Sequence, residues 1–309
     1  MITEELLRDW IGQADAWQDL RDALDLEIEP DELQRSANKW QVMNAYGPAS
    51  IASETLRQKL HRYPMPVIEL APYSEASLLY HLQSGLTNAR EISEYMAEHF
   101  ASPSRRLAVL DFGCGMCRIL RYLMQFVPQH VYYACDVNDP AIQWDRRTFL
   151  AANFLRIGAE PPVRLPDASM DVIYAFSIFT HYSEAVHLRW MEDLARLLKP
   201  GGLLIVTIHG DIILNRMAKE HELQHGMRLE GRGIDVAALH DTFRQRGYGF
   251  YECYNDAGAG EYGIDPSLFG MAFISPDYVR ERWGPRFELL KHEPGKVFNW
   301  QDYALLRRK

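Results

Sequence analysis

The chain has 309 residues, 47% apolar, 12% aromatic and 24% charged, which suits one elaborated domain or two small ones with a sizeable core and excludes disorder over most of its length. A formal charge of −9 argues against an extended nucleic-acid surface, because neutralising phosphates needs surplus Lys and Arg, and the basic tail Arg307-Arg308-Lys309 is short. The longest apolar run, residues 203–208, falls far short of the roughly 20 a membrane-spanning helix needs, no signal peptide is visible, and four cysteines are too few for a disulfide scaffold, so a cytoplasmic protein with no membrane contact is expected.

Residues 1–75 read as an N-terminal helical cap. Leu6, Trp10, Ala14, Trp17, Leu20 and Leu24 recur every three or four positions, one apolar stripe on a helix of about six turns. Pro30, Gly47-Pro48 and Pro64-Met65-Pro66 punctuate the helical stretches that follow. From Arg105 the texture changes. Residues 107–110 form a short apolar strand, then come a glycine-rich turn and a helix in which Ile119, Leu120, Leu123, Met124 and Val127 share a face. Residues 131–135 are a second strand, 141–152 a helix and 171–175 a third strand. Ser183 can cap the next helix, whose Trp190, Met191, Leu194, Leu197 and Leu198 make its core face, and residues 203–208 return to strand. Strands that are apolar throughout must be covered on both faces, which predicts a parallel, doubly wound α/β sheet.

After His209 the rhythm breaks. Residues 211–222 and 236–246 read as helices, and 250–254 and 269–274 as strands that pair across the glycine-rich stretch 256–260. Residues 287–290 and 303–306 look like closing strands. The expected organisation is a cap over 1–75 and one domain over 76–309, with a substrate-side insertion at about 210–274 after the fifth strand.

The sharpest motif is Val109-Leu-Asp-Phe-Gly-Cys-Gly-Met-Cys-Arg118. Gly113 and Gly115, just past a strand and just before a helix, let the backbone pass close to a ligand. Asp136 lies 21 residues beyond Gly115, at the end of the second strand, where a carboxylate can accept both hydroxyls of a ribose. A dinucleotide fingerprint wants a third glycine where Arg118 stands, which points away from NAD.

Here the chain resembles class I S-adenosylmethionine-dependent methyltransferases. Asp111, Gly113 and Gly115 match their first motif, with Cys117 in place of its last glycine. The resemblance continues through Cys135-Asp136-Val137-Asn138, residues 165–181 and residues 198–208, and covers roughly residues 76–209 plus the closing strands. It implies a Rossmann-like, seven-stranded sheet and S-adenosylmethionine as cofactor. By the same resemblance Asp111 would orient the cofactor's amino-acid end, and Phe112, Gly113 and Gly115 would contact it along the turn. Asp136 would take the ribose, Val137, Gly158 and Ala159 would lie against adenine, and Phe176 and Ser177 would line the methionine portion. Gln83-Ser84-Gly85 would lead into the first Rossmann helix, where related chains close over the cofactor.

Methyl transfer needs the acceptor aligned and, for an alcohol or phenol, a proton removed. His181 follows the fourth strand and His209 ends the fifth, both at strand edges where such sheets bind ligands, and each is a candidate base. Tyr182 and Tyr262 are candidate substrate contacts. Tyr251, Tyr254, Phe269, Met271 and Phe273 suit a flat substrate, and serve equally as a satellite core or as the contact of a homodimer. The expected reaction is O-methylation of a small molecule, sugar or peptide-derived metabolite, with no nucleic-acid partner.

Two further motifs are read as inert, and no metal is expected. Cys114-Gly-Met-Cys117 has redox or half-zinc spacing, but no second pair follows it. His221-Glu222-Leu-Gln-His225 has the spacing of a zinc hydrolase, yet its flanks are charged and no third ligand follows at the expected distance. A zinc hydrolase on those residues and a catalytically silent, cofactor-binding partner subunit are the alternative functions.

Overall fold

The structure, a computed structural model, describes residues 78–100, 105–220, 223, 227, 229, 232–253 and 265–309. The cap expected over 1–75, the His221/Glu222/His225 motif, Tyr254, the 256–260 turn and Tyr262 lie outside the described residues. The elements in order are α1 (Leu78–His99), β1 (Ala108–Phe112), α2 (Leu120–Phe126), β2 (Val131–Asp136), α3 (Asp139–Thr148), β3 (Ala152–Arg156), β4 (Met170–Ala175) and α4 (Glu184–Leu197). Then follow β5 (Leu198–Ile208), α5 (Asp211–Met217), α6 (Val236–Arg246), β6 (Tyr248–Glu252), β7 (Gly270–Ile274), β8 (Phe287–Val297) and β9 (Gln301–Arg308). Among the described residues no helix is long and apolar enough to cross a membrane.

Seven strands form one sheet in the order β3-β2-β1-β4-β5-β9-β8. β1, β4 and β5 run parallel, with Leu110 beside Ile173 and Ile173 beside Leu204. The sheet is mixed rather than wholly parallel, because β9 runs antiparallel to both β5 and β8. The link between β8 and β9 is a tight turn with left-handed residues at Phe298 and Asn299, and so short a connection can join only antiparallel strands.

β3 falls where the sequence pattern predicts the end of a helix. α3 starts as its sequence asks, with Asn138 Oδ1 accepting the Ala141 N–H and Pro140 in the first turn, but it stops at Thr148. The strand that follows is half-exposed along its length, so it lacks the continuous apolar run that marks β1 and β4. Ser183 does stand at the start of α4, though its side chain makes no capping bond.

By internal packing the chain forms two compact units. One comprises Arg106–Gly113, Tyr133–Val137 and Leu155–Lys309; the other takes the described residues through Arg105 with Cys114–Tyr132 and Asn138–Phe154. The core of the first sets Leu110, Ile173, Leu204 and Val206 of the sheet against Trp190, Leu194 and Leu197 of α4. β6 and β7 pair antiparallel as a small second sheet, over a satellite core of Ile213, Leu214, Met217, Leu239, Phe243, Tyr251, Met271 and Phe273. Tyr251, Met271 and Phe273 are therefore part of a satellite core, one of the three uses their sequence allowed.

In the other unit Ser84 and Gly85 lie inside α1 rather than ahead of it. A Cβ on Gly85 would sit 2.2 Å from the Arg118 carbonyl oxygen, so the glycine there answers to close backbone packing, not to a turn. The buried Ser84 hydroxyl accepts a 2.7 Å hydrogen bond from Arg118 Nη1.

Candidate active site

The C-terminal ends of β1, β2, β4 and β5 carry most of the residues singled out from the sequence. At the end of β1, Asp111 is buried, and its Oδ2 accepts a 2.9 Å hydrogen bond from the Tyr174 hydroxyl. Phe112 is buried edge-on against Trp190, their rings 4.8 Å apart. Gly113 has φ +81, a conformation that glycine adopts freely, and its N–H donates to the Cys135 carbonyl at 2.8 Å. At the end of β2, Asp136 and Val137 are half-buried, and the Asp136 carbonyl accepts the Ile157 N–H at 3.0 Å. Gly158 is exposed, while Ala159 is half-buried and accepts the Trp190 Nε1–H at 3.1 Å.

Past β4, Phe176 packs edge-on against Tyr303 at 5.3 Å. Ser177 has φ +56, a rare conformation for a residue with a side chain, and one held only where the surroundings enforce it. Its N–H donates to Thr207 Oγ1 at 2.8 Å, and its hydroxyl accepts from Gln301 Nε2 at 3.0 Å. Thr207 and Gln301 carried no signal in the sequence, because Gln301 arrives from a strand more than a hundred residues away. Nor did Asp302, which is buried and accepts from His292 Nε2 at 2.9 Å and from the Gly295 N–H at 2.7 Å. Asp302 also explains Gly210, where a Cβ would lie 2.0 Å from its Oδ2.

β7 is stitched to the two loops that carry the histidines. The Gly270 N–H donates to the His181 carbonyl at 2.7 Å, and the Ile274 N–H to the His209 carbonyl at 2.8 Å. His181 is half-buried, and its Nδ1 lies 3.0 Å from the Gly270 carbonyl oxygen. A carbonyl can only accept, so Nδ1 carries the proton and Nε2 of the neutral ring holds the lone pair. The ring stacks on Phe269 at 5.1 Å and meets His209 edge-on at 6.4 Å. His209 is buried against Phe273. Burial, and then the neighbouring His181, pull its pKa down to about 3, against a small opposing pull from the Ala272 backbone. Tyr182 is buried among Phe179 and Phe269, and burial followed by the Asp136 charge pushes its hydroxyl far above the usual range.

In the other unit, Gly115 has φ +51, and among the described residues no heavy atom lies within 4 Å of where a Cβ would stand. Cys114 and Cys117 are buried on the same turn, near Asp145 of α3.

Residues 109–202, the stretch holding the glycine turn and the strand ends just described, match the family model for a methyltransferase domain. Residues 109–202 thus carry a methyltransferase domain. Two curated relatives are similar to part of this chain. The chain is 26% identical over 122 residues to a tRNA N(3)-methylcytidine methyltransferase of Schizosaccharomyces pombe, covering 37% of this chain and 49% of that protein. It is 25% identical over 154 residues to a tRNA N(3)-cytidine methyltransferase of Mus musculus, covering 46% of this chain and 40% of that protein. The chain thus spans about half the length, or less, of the curated relatives it matches. A crystal structure of an S-adenosylmethionine-dependent methyltransferase from Mesorhizobium loti superimposes with a TM-score of 0.48 at 13% identity, covering 73% of this chain and 98% of that one.

The relatives correct one expectation. A small-molecule acceptor with no nucleic-acid partner does not stand beside relatives named for methylating tRNA. The expectation rested on net charge, which sums over the whole chain and does not exclude a local site for one nucleotide.

Proposed function

We propose that the protein transfers the methyl group of S-adenosylmethionine to an acceptor seated beside His181. The observation that carries this reading is the methyltransferase-domain match across residues 109–202. The residues suit the cofactor: Gly113 and Gly115 take left-handed conformations that let the backbone approach a ligand closely. Asp111 would orient its amino-acid end, with Phe112, Gly113 and Gly115 along the turn. Asp136 would take the ribose, Val137, Gly158 and Ala159 the adenine, and Phe176 and Ser177 the methionine portion. When bound, it supplies a methyl group already activated on a sulfonium. The chain's own task is to align the acceptor and take up its proton.

A hydroxyl acceptor, and so O-methylation, is the reaction His181 serves. The Gly270 carbonyl holds the proton on Nδ1, so the ring's lone pair lies on Nε2, the atom that would take up the acceptor's proton. His209, with a pKa of about 3, is too weak a base to share that role and instead packs the pair in place. The relatives favour a second reading, a cytidine ring nitrogen of tRNA. That atom has its own lone pair and no proton to lose, so His181 would orient the base, by accepting from its exocyclic amino group, rather than deprotonate it. A reducing cytoplasm suits the four buried thiols of Cys114, Cys117, Cys135 and Cys253.

Incubation with methyl-labelled S-adenosylmethionine and either total tRNA or a whole-cell extract tests both readings. Label on an oxygen supports the first, and label recovered as N3-methylcytidine supports the second. No transfer to any fraction, from protein that binds the cofactor, would leave a silent subunit.

A further inference from the structure

Cys114, Cys117 and Asp145 bring their ligand atoms within 4.8 Å of one another, and all three residues are buried. The sequence supplies the thiol pair on one turn. Only the fold adds the third donor, from α3 of the same compact unit. Cys114 Sγ stands 3.9 Å from Asp145 Oδ2. A tetrahedral zinc ion, with bonds of about 2.3 Å to sulfur and 2.1 Å to oxygen, would hold such atoms roughly 3.6 Å apart, a small adjustment of two side chains.

A second observation concerns the backbone. Cys117 stands where the family motif has a glycine, and it keeps a left-handed φ of 55°, which glycine adopts freely and cysteine does not. Its N–H bonds the Cys114 carbonyl at 2.9 Å, closing the turn that gathers both thiols. A glycine would relieve the strain; the cysteine instead sets a fully buried thiol on the turn beside Cys114.

We propose that Cys114, Cys117 and Asp145 form a binding site for a thiophilic divalent cation, zinc in the cell, with water completing its coordination. Two thiols select zinc over magnesium or calcium, whose preferred donors are oxygens. The cation draws both thiols into the thiolate form and releases their protons to solvent, and it balances the carboxylate removed from water. Because both cysteines flank Gly115, the ion would also pin the turn. The inference is independent of which acceptor the protein methylates, and it reverses the expectation that the cysteine pair is inert.

The test uses the full chain, freed of metal under reducing conditions and titrated with cobalt(II) as a spectroscopic stand-in for zinc. The expected result is one ion per chain with a near-ultraviolet thiolate-to-cobalt absorption band. Cys117→Gly, which the backbone favours, should remove the band while circular dichroism stays native. Asp145→Asn should weaken cobalt binding by about tenfold or more. A folded chain without the band, or a band unchanged in Cys117→Gly, overturns the proposal. So does metal uptake that only His221→Ala or His225→Ala abolishes, which would place the ion on the histidine motif.

Discussion

The Tyr174 hydroxyl donates a 2.9 Å hydrogen bond to Oδ2 of Asp111, and the parallel register sets the two residues side by side on β4 and β1. Both are buried, so the phenol is a fixed partner for a carboxylate that family resemblance assigns to the cofactor. Tyr174→Phe keeps the ring and removes this donor from a buried carboxylate. We expect the variant to lose about 1–3 kcal/mol in urea unfolding. Unchanged stability would mean that another donor replaces the phenol.

The two glycines of the turn should fail differently. A Cβ at Gly113 would stand 2.2 Å from Ile178 Cδ1, whereas at Gly115 it meets nothing within 4 Å among the described residues. Gly113→Ala should therefore lower the melting temperature as well as cofactor affinity, and trimming Ile178 to Ala should return part of the stability. Gly115→Ala should lose calorimetric affinity for S-adenosylmethionine with a smaller thermal shift, because its methyl group would stand on the turn assigned to the ligand. Equal affinity in Gly115→Ala and the natural chain would move the cofactor off this turn.

Acid should destabilise the protein through two buried histidines. His187, beside the Tyr278 hydroxyl, is pulled down to about 3 by burial and then by the Arg282 charge, and His209 is likewise lowered to about 3. Unfolded histidines titrate near 6.5, so between about 6.5 and 3 the unfolded chain binds protons that the native state does not. Their contribution is complete above about pH 6.5 and is lost as pH falls towards 3, at about 1.4 kcal/mol per pH unit for each histidine. Urea midpoints measured from pH 7.5 to 5 should fall accordingly, and His187→Gln should remove about one proton's worth of that slope. A pH-independent midpoint would contradict the buried, neutral state of these rings.

Turnover should separate the paired histidines. His181→Gln should lower the rate on a hydroxyl acceptor by about 10²–10⁴-fold with little change in cofactor affinity. The natural enzyme should slow towards acid as the His181 ring is protonated and can no longer accept. His209→Gln should reduce the rate less, and mainly through stability. Full turnover and a flat pH profile in His181→Gln would fit an acceptor with no proton to lose, such as a cytidine ring nitrogen.

How much of this was legible without a structure varies from element to element. β1, β4 and the inner part of β5 announce themselves because a strand covered on both faces is mostly apolar, with runs such as residues 108–110, 172–175 and 203–206. The glycine turn is equally plain, since left-handed backbone between a strand and a helix restricts the residue type locally. β3 was hidden because only Phe154 of its five residues is buried and its exposed positions, Asn153 and Arg156, do not alternate, and the antiparallel run of β9 depended on a turn whose geometry is set by Phe298 and Asn299 rather than by glycine.

By itself the sequence determined the alternation of strand and helix, the cofactor turn and the positions of His181 and His209 along the chain, all of which depend on near neighbours. Tertiary structure alone decided what those groups touch. It brought Gln301 to Ser177, Tyr174 to Asp111, Gly270 to His181 and Asp145 to the cysteine pair. It also separated two histidines of one residue type into a half-buried ring with a committed tautomer and a buried ring held neutral. Burial and hydrogen-bond partners come from segments far apart in the chain, and those set the protonation and reach of a side chain.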